Sequence, residues 1–373
     1  MKKICFVVSS PLTAQAFMLK HFEYLSQEFD ITLVANFETE EQHAIPFVKE
    51  TKNIKIVRNI NLLSDLAALY ELYKYLKQQH FDAIHSITPK AGLIATSAAW
   101  LAGVKLRIHI FTGQVWHTQT GLKKKLLQFL DKVMVFFATD ILVDGQSQRD
   151  FLIQNHIIKD QNSKVLGKGS ISGVDVSKFV PDQGIKKELR RQLGYSDDEV
   201  VFTFLGRMNR DKGILDLVTA FKRLHQEFPQ AKLLLIGADE ENLRPEIEQM
   251  QKEGIFFFGL TRKPQETLQA GDVFCLPSYR EGFGTSVIEA SLLQMPVICS
   301  DTYGLTETIV DNETGLRHKV ANSEDLYKQM KILFLDANLR KAMGEEGRQY
   351  VLKYFSADEI SSHWLAFYKE KLN

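Results

Sequence analysis

Cysteine is scarce. The 373-residue chain holds three, Cys5, Cys275 and Cys299, each inside an apolar run and none at metal-ligand spacing. Neither a disulfide framework nor a thiolate metal site therefore organises the fold, and a reducing, cytoplasmic setting is expected. Long apolar runs are missing as well. Ile4 to Val8 stops at Ser9-Ser10-Pro11, and Val133 to Ala138 is bounded by Asp131, Lys132 and Asp140, whereas a membrane-spanning helix needs ~20 apolar residues. Met1-Lys2-Lys3 followed by five apolar residues reads as a first buried strand, not a secretory leader. An excess of one charge is also absent, because Lys plus Arg and Asp plus Glu each total 46. No global field draws the molecule onto nucleic acid, and any attraction to an anionic surface must be local.

What remains is a globular composition, 45% hydrophobic and 25% charged, in a chain too long for one ordinary core. Short apolar runs alternate with helical periodicity, the pattern of α/β domains with parallel sheets. In the first half the runs are Ile4 to Val8, Ile31 to Ala35, Ile54 to Val57, Ala83 to Ile87, Arg107 to Phe111 and Ile141 to Val143. In the second they are Val200 to Leu205, Leu233 to Ile236, Ile255 to Phe258, Val273 to Leu276 and Val297 to Cys299. Phe17, Leu19, Phe22 and Leu25 predict one helix, and Leu62 to Leu76 another. Between residues 163 and 199, Gly167, Gly169, Gly173, Pro181 and Gly184 interrupt the periodicity, which places one domain at 1–180 and a second at 181–353. Ile360, Trp364, Phe367 and Tyr368 stripe a last helix, within 354–373, that is expected to cross back onto the first domain.

Two segments carry chemistry. EGFGTSVIEA, residues 281–290, follows the Val273 to Leu276 strand. Gly282 and Gly284 flank Phe283 and permit close approach of a ligand, while a helix starting at Thr285 would aim amide hydrogens at an anion such as a diphosphate. Glu281 and Glu289 read either as acceptors for sugar or ribose hydroxyls or as solvated acids beside an ordinary turn. GRMNRDKG, residues 206–213, again links a strand to a helix. Its Arg207 and Lys212 are ordinary loop cations taken alone, but at a strand's carboxyl end they suit a leaving diphosphate.

On these residues the chain resembles family 4 of the glycosyltransferases, which have the GT-B fold of two Rossmann-like domains facing across a cleft. The marks are Glu281 and Glu289 with seven residues between them, Gly206-Arg207 with Lys212-Gly213, and Leu276-Pro277-Ser278. The resemblance implies a nucleotide-sugar donor on the C-terminal domain, an acceptor on the N-terminal one, retention at the anomeric carbon, and no metal or other cofactor. Carried over, Arg207 and Lys212 bind the diphosphate and Glu281 the transferred sugar. Phe283, Gly284 and Thr285 present backbone amides, Glu289 holds the ribose, and the base rests near Phe258, Gly259 and Leu260 beside Gly237. The donor is expected to be UDP-linked, carrying an N-acetylated hexosamine or galactose. Bacterial surface-polysaccharide enzymes of the family share look-alikes of TGQVW (112–116) and SQRDF (147–151), which implies a polyprenyl-diphosphate-linked or other glycan acceptor.

Departures from the family pattern fall on the acceptor side. Ser9-Ser10-Pro11-Leu12 stands where many relatives have a glycine pair, and the histidine of a middle strand is matched by either His109 or His117. Thr112-Gly113 is the expected close-approach point. Leu122, Leu126, Leu127, Leu130, Val133, Met134 and Phe137 stripe a helix that opens with Lys123-Lys124-Lys125. That stripe is either core with a solvated start or a face for an anionic membrane. Two other functions fit the architecture: a sugar-nucleotide 2-epimerase and a non-catalytic donor-binding subunit.

Overall fold

The computed structural model describes residues 1–39, 44–57 and 61–372, so Asn373 of the expected last segment lies outside it. Two compact units emerge: Met1–Gly173 together with Ala357–Asn373, and Val174–Ser356. Each is built on one parallel sheet.

The first unit contains β1 (Lys2–Val7), β2 (Phe29–Ala35), β3 (Glu50–Asn53), β4 (Ala83–Ile87), β5 (Leu106–Phe111), β6 (Asp140–Val143) and β7 (Ser163–Lys164). They run in the order β3-β2-β1-β4-β5-β6-β7. Alternate residues of β1 feed two cores: Ile4 and Phe6 enter one, Cys5 and Val7 the other. A strand covered on both faces reads as a continuous apolar run, which is why it was visible in the sequence. The second unit contains β8 (Val200–Leu205), β9 (Ala231–Ile236), β10 (Ile255–Gly259), β11 (Val273–Leu276), β12 (Val297–Ser300) and β13 (Gly315–His318). Their order is β10-β9-β8-β11-β12-β13. Growth of the sheet reverses between β1 and β4 in one unit and between β8 and β11 in the other, and such reversals are where α/β sheets bind ligands, outside the carboxyl ends.

Some expectations need correction. The strand expected at Ile54 to Val57 is Glu50–Asn53, which pairs with β2 residue by residue from Thr32 to Ala35. Ile54 and Ile56 are buried beyond its end; this polar strand lies at the sheet edge, where backbone pairing does not require apolar side chains. The single helix expected from Phe17 to Leu25 is two, Pro11–Phe17 and Leu19–Leu25, joined at Met18. Strands β7 and β13 carried no apolar run long enough to announce them.

The last helix, Ala357–Leu372, belongs to the first unit. Ile360, Trp364, Phe367 and Tyr368 are all buried in the core that holds Ile4, Phe6 and Phe22. Each such side chain contributes roughly 1.5–3 kcal/mol when fully buried. Trp364 stacks on two imidazoles, His21 at 4.2 Å and His85 at 4.8 Å between ring centroids. His85 Nδ1 also lies 2.6 Å from the Tyr368 hydroxyl, and His21 Nδ1 2.9 Å from that of Ser361.

Candidate donor site at the carboxyl edge of the second sheet

The loop after β8 is shaped by its own side chains. Asn209 Oδ1 accepts from the Lys212 amide at 3.2 Å, closing a turn of 3-10 helix over Arg210–Lys212. Gly213 has φ 66°, and a Cβ there would overlap the Pro277 carbonyl oxygen, so only glycine lets this loop lie against the end of β11. The Tyr279 amide donates to Asp211 O at 2.8 Å and fixes the same contact. Lys212 is thereby held beside Glu281. Their side chains form an ion pair, Lys212 Nζ to Glu281 Oε1, and the Ser278 hydroxyl donates to the same oxygen at 2.8 Å.

Arg207 is placed differently. Its Nη1 donates to both carboxylate oxygens of Glu240, at 3.1 and 3.2 Å, and Asn209 Nδ2 donates to Glu240 Oε2 at 3.0 Å. Glu240 comes from the loop after β9, which pairs with the 206–213 loop through Met208 N to Ala238 O and Glu240 N to Met208 O. Both expected diphosphate cations therefore stand at the carboxyl edge, and each is matched by an acid instead of forming a purely positive pocket. Glu240, Asn209 and Ser278 were not assigned roles from sequence. Position after β9 was a usable signal for Glu240, since β9 neighbours β8.

Gly206, Gly237 and Gly259 mark the ends of β8, β9 and β10, three adjacent strands. The Gly237 amide donates to Gly259 O at 2.8 Å, and Gly206 N to Ile236 O at 3.0 Å. Gly237 has φ 139°, and a Cβ on it would overlap the Gly206 carbonyl oxygen. Leu260, just beyond Gly259, is exposed, while Phe258 is half-buried.

The amides expected to face a ligand at Gly284 and Thr285 do not do so. Gly284 N donates to Gly304 O at 3.0 Å and Thr285 N to Phe283 O at 2.8 Å, because the 302–305 segment packs beneath the glycines. Phe283 itself is core, its ring 5.3 Å from that of Phe355. The helix after them is Thr285–Leu292. On it Glu289 is half-buried, and loss of water around its carboxyl pushes its pKa up to about 8. Glu289 thus joins neither the Lys212-Ser278-Glu281 group nor the Arg207-Asn209-Glu240 group by a hydrogen bond among the described residues.

In the first unit Thr112 and Gly113 follow β5, half-buried, with Gly113 at φ 120°. His109 lies on β5 inside the core, its Nδ1 2.9 Å from the Ser86 hydroxyl, and burial lowers its pKa to about 3. It is a packing residue. His117 is half-buried with its ring edge-on to Phe151 at 4.9 Å. The helix striped by leucines is Gly121–Phe137, and only Met134 on it is fully buried. Leu122 and Leu126 of the expected stripe are exposed, whereas Leu127 packs against the core that holds Met134, and Leu130, Val133 and Phe137 are half-buried; Phe129 and Phe136, outside the stripe, are exposed, as are Lys123, Lys125 and Lys132. No helix among the described residues is long and apolar enough to cross a membrane.

Comparison with known proteins bears on both halves of the chain. The family of group 1 glycosyl transferases matches residues 185–350, and the glycosyl transferase 4-like family matches 3–145. The chain is 31% identical over 342 residues to the capsular polysaccharide biosynthesis glycosyltransferase CapM of Staphylococcus aureus, spanning 90% of this chain and 87% of that one. It is 28% identical over 373 residues to an Escherichia coli UDP-Gal:alpha-D-GlcNAc-diphosphoundecaprenol alpha-1,3-galactosyltransferase, spanning 95% and 93%. Among solved structures, Anabaena Alr3699/HepE in complex with UDP superposes with a TM-score of 0.81 at 19% identity, over 99% of this chain and 100% of that one. The two parallel-sheet units are those of the GT-B fold.

Proposed function

The chain belongs to the group 1 glycosyltransferases, and from that premise we propose that it transfers a hexose or N-acetylhexosamine from a UDP-linked donor, with retention at the anomeric carbon and without a metal, to a polyprenyl-diphosphate-linked or other glycan acceptor in surface polysaccharide synthesis. The observation that carries the donor half is the Lys212-Ser278-Glu281 cluster, which spans the β8/β11 reversal of the sheet. The E. coli relative, named for a UDP-galactose donor and a diphosphoundecaprenol acceptor, supports the choice of substrates.

In this reading the diphosphate takes Arg207 from Glu240 and shares Lys212 with Glu281. Exchange is feasible because the Arg207-Glu240 pair is half exposed, and such pairs are worth only ~0–1 kcal/mol. Glu281, oriented by Ser278 and Lys212, accepts from hydroxyls of the transferred sugar, and Glu289 from the ribose. The base lies near Phe258, Gly259 and Leu260, beside Gly237. The acceptor oxygen bonds to the anomeric carbon on the face from which the diphosphate departs. Its proton passes to a departing phosphate oxygen, and two fixed cations offset the charge that develops there.

Thr112, Gly113 and His117 are assigned to the acceptor. The exposed leucines and phenylalanines of Gly121–Phe137, interleaved with lysines, suit the headgroup region of an anionic bilayer at the inner face of the cell membrane, where a lipid-linked acceptor is found. The test is transfer by the purified chain from UDP-galactose or UDP-N-acetylgalactosamine to a polyprenyl-diphosphate-linked N-acetylglucosamine, with EDTA present. An α-linked product by NMR supports the reading; a β-linked product, an EDTA-sensitive rate, or a free epimer of the donor sinks it.

A further inference from the structure

The TGQVW and SQRDF segments, 35 positions apart by first residue (147 minus 112), meet in a buried polar chain next to the acceptor turn. Gln148, on the helix Gln146–Gln154, accepts from the Asp144 amide through Oε1 at 3.1 Å and donates through Nε2 to Gln114 Oε1 at 3.2 Å. The Asp144 amide can only donate, so the orientation of the Gln148 amide is fixed, and Gln114 must turn its own NH2 onward. All three side chains are at most 2% exposed. Asp144 is immobilised in turn: its carbonyl accepts from Ser170 N at 2.6 Å, and Gly169 packs so tightly on that carbonyl that a Cβ would overlap it. An aromatic contact runs parallel to the polar one, with Trp116 stacked on Phe151 at 5.2 Å and Trp116 Nε1 donating to Asp131 Oδ2 at 2.7 Å.

We propose that the Gln114-Gln148-Asp144 chain is a positioning device for the Thr112-Gly113 turn, and that it governs recognition of the acceptor and not of the donor. The inference rests on the acceptor assignment made above. Stability does not account for the chain, because Gln114 Nε2 and Asp144 Oδ1 are buried with no hydrogen-bond partner among the described residues, and apolar side chains of the same size would fill the space without that penalty. Gln114 is the residue immediately after Gly113, whose φ of 120° is open to little but glycine. Tying its side chain from beneath to the Gln146–Gln154 helix and the end of β6 therefore removes the freedom the glycine would otherwise give the turn. Placement to within a fraction of an ångström is what a transfer reaction requires of the elements that hold its acceptor.

The test compares the full-length wild type with Gln148→Leu, which keeps volume and deletes both hydrogen bonds, and with Gln114→Ala in case the first fails to fold. Three quantities are read: KM for polyprenyl-diphosphate-linked N-acetylglucosamine with UDP-N-acetylgalactosamine as donor, UDP affinity by calorimetry, and hydrogen exchange over residues 112–118. Expected are an acceptor KM raised tenfold or more, UDP affinity within twofold of wild type, and faster exchange over 112–118. A folded variant with unchanged acceptor KM and unchanged exchange overturns the inference, as does a parallel loss of UDP affinity. If the wild type takes up UDP yet transfers to no such acceptor, the acceptor assignment fails by itself, and exchange over 112–118 still decides whether the chain fixes the turn.

Discussion

Lys212 and Glu281 stand 69 residues apart in sequence and share an ion pair that ties the loop after β8 to the loop after β11. Both side chains are largely buried, 18% and 12% exposed, so neither is a solvated surface charge. The pairing brings a family mark distributed over two segments into one place: the cation proposed to meet phosphate and the acid proposed to meet sugar are held by each other.

Replacing either cation should lower turnover, and for Arg207 the effect on folding should be small. Arg207→Ala and Lys212→Ala are each expected to lower kcat/KM by ~10² or more, the scale for loss of a donor that stabilises developing charge. For Arg207→Ala the stability change in urea should stay within about 1 kcal/mol, since its pair with Glu240 is half exposed. Steady-state rates and urea midpoints measure the two effects separately, and full turnover in both variants would remove the assignment.

Glu289 gives folding stability a pH dependence of definite sign. Its carboxyl titrates near 4.5 when unfolded and near 8 when folded, because burial favours the neutral form. The stability it contributes is complete below pH 4.5 and is lost as pH rises through 8. Glu289→Gln cannot ionise, so its urea midpoint should decline less than that of wild type between pH 5 and pH 8.5. Identical slopes would show that the side chain is solvated.

Acid should loosen the first unit through its buried imidazoles. Desolvation lowers His21 to about 4 and His109 to about 3, against 6.5 when unfolded, and places His85 well below that value too. The folded state therefore loses stability as pH falls from 6.5 toward 4, by roughly 3 kcal/mol for His21 alone. Protection factors over Ala357–Leu372, whose Trp364 stacks on His21 and His85, taken relative to the intrinsic exchange rate at each pH, should fall in that window relative to pH 7. Protection that is constant down to pH 4 would contradict the burial of these rings.

Binding to anionic vesicles should depend on one helix. Wild type is expected to float with phosphatidylglycerol liposomes. Reversal of Lys123, Lys124 and Lys125 to glutamate, or Phe129→Ser with Leu126→Ser, should abolish flotation while leaving UDP affinity intact. Flotation that survives both changes would assign membrane contact to another surface.

Much of this was legible in the sequence, and the misreadings have identifiable causes. Strands covered on both faces, such as β4 and β11, announced themselves as apolar runs with correct limits. Edge strand β3 did not, because Glu50, Thr51, Lys52 and Asn53 pair with β2 but carry no apolar side chain. The segments bearing Arg207, Lys212 and Glu281 were found because glycine and charge follow strands there. Their partners Ser278 and Glu240, and the turning of the Gly284 amide toward Gly304, depend on loops brought together only by folding. The same holds for the stripe on Gly121–Phe137: periodicity shows that a helix has an apolar face, and only packing shows whether anything covers it.

The most direct measurement is calorimetric titration of UDP into the purified chain and into Lys212→Ala and Glu281→Gln, without metal. Saturable uptake by wild type, weakened about tenfold or more in Lys212→Ala and much less in Glu281→Gln, is the predicted result, because the proposal gives the lysine to the phosphate and the acid to a sugar that UDP lacks. No heat at millimolar UDP, or equal affinity in wild type and Lys212→Ala, would contradict a donor site at the carboxyl edge of this sheet.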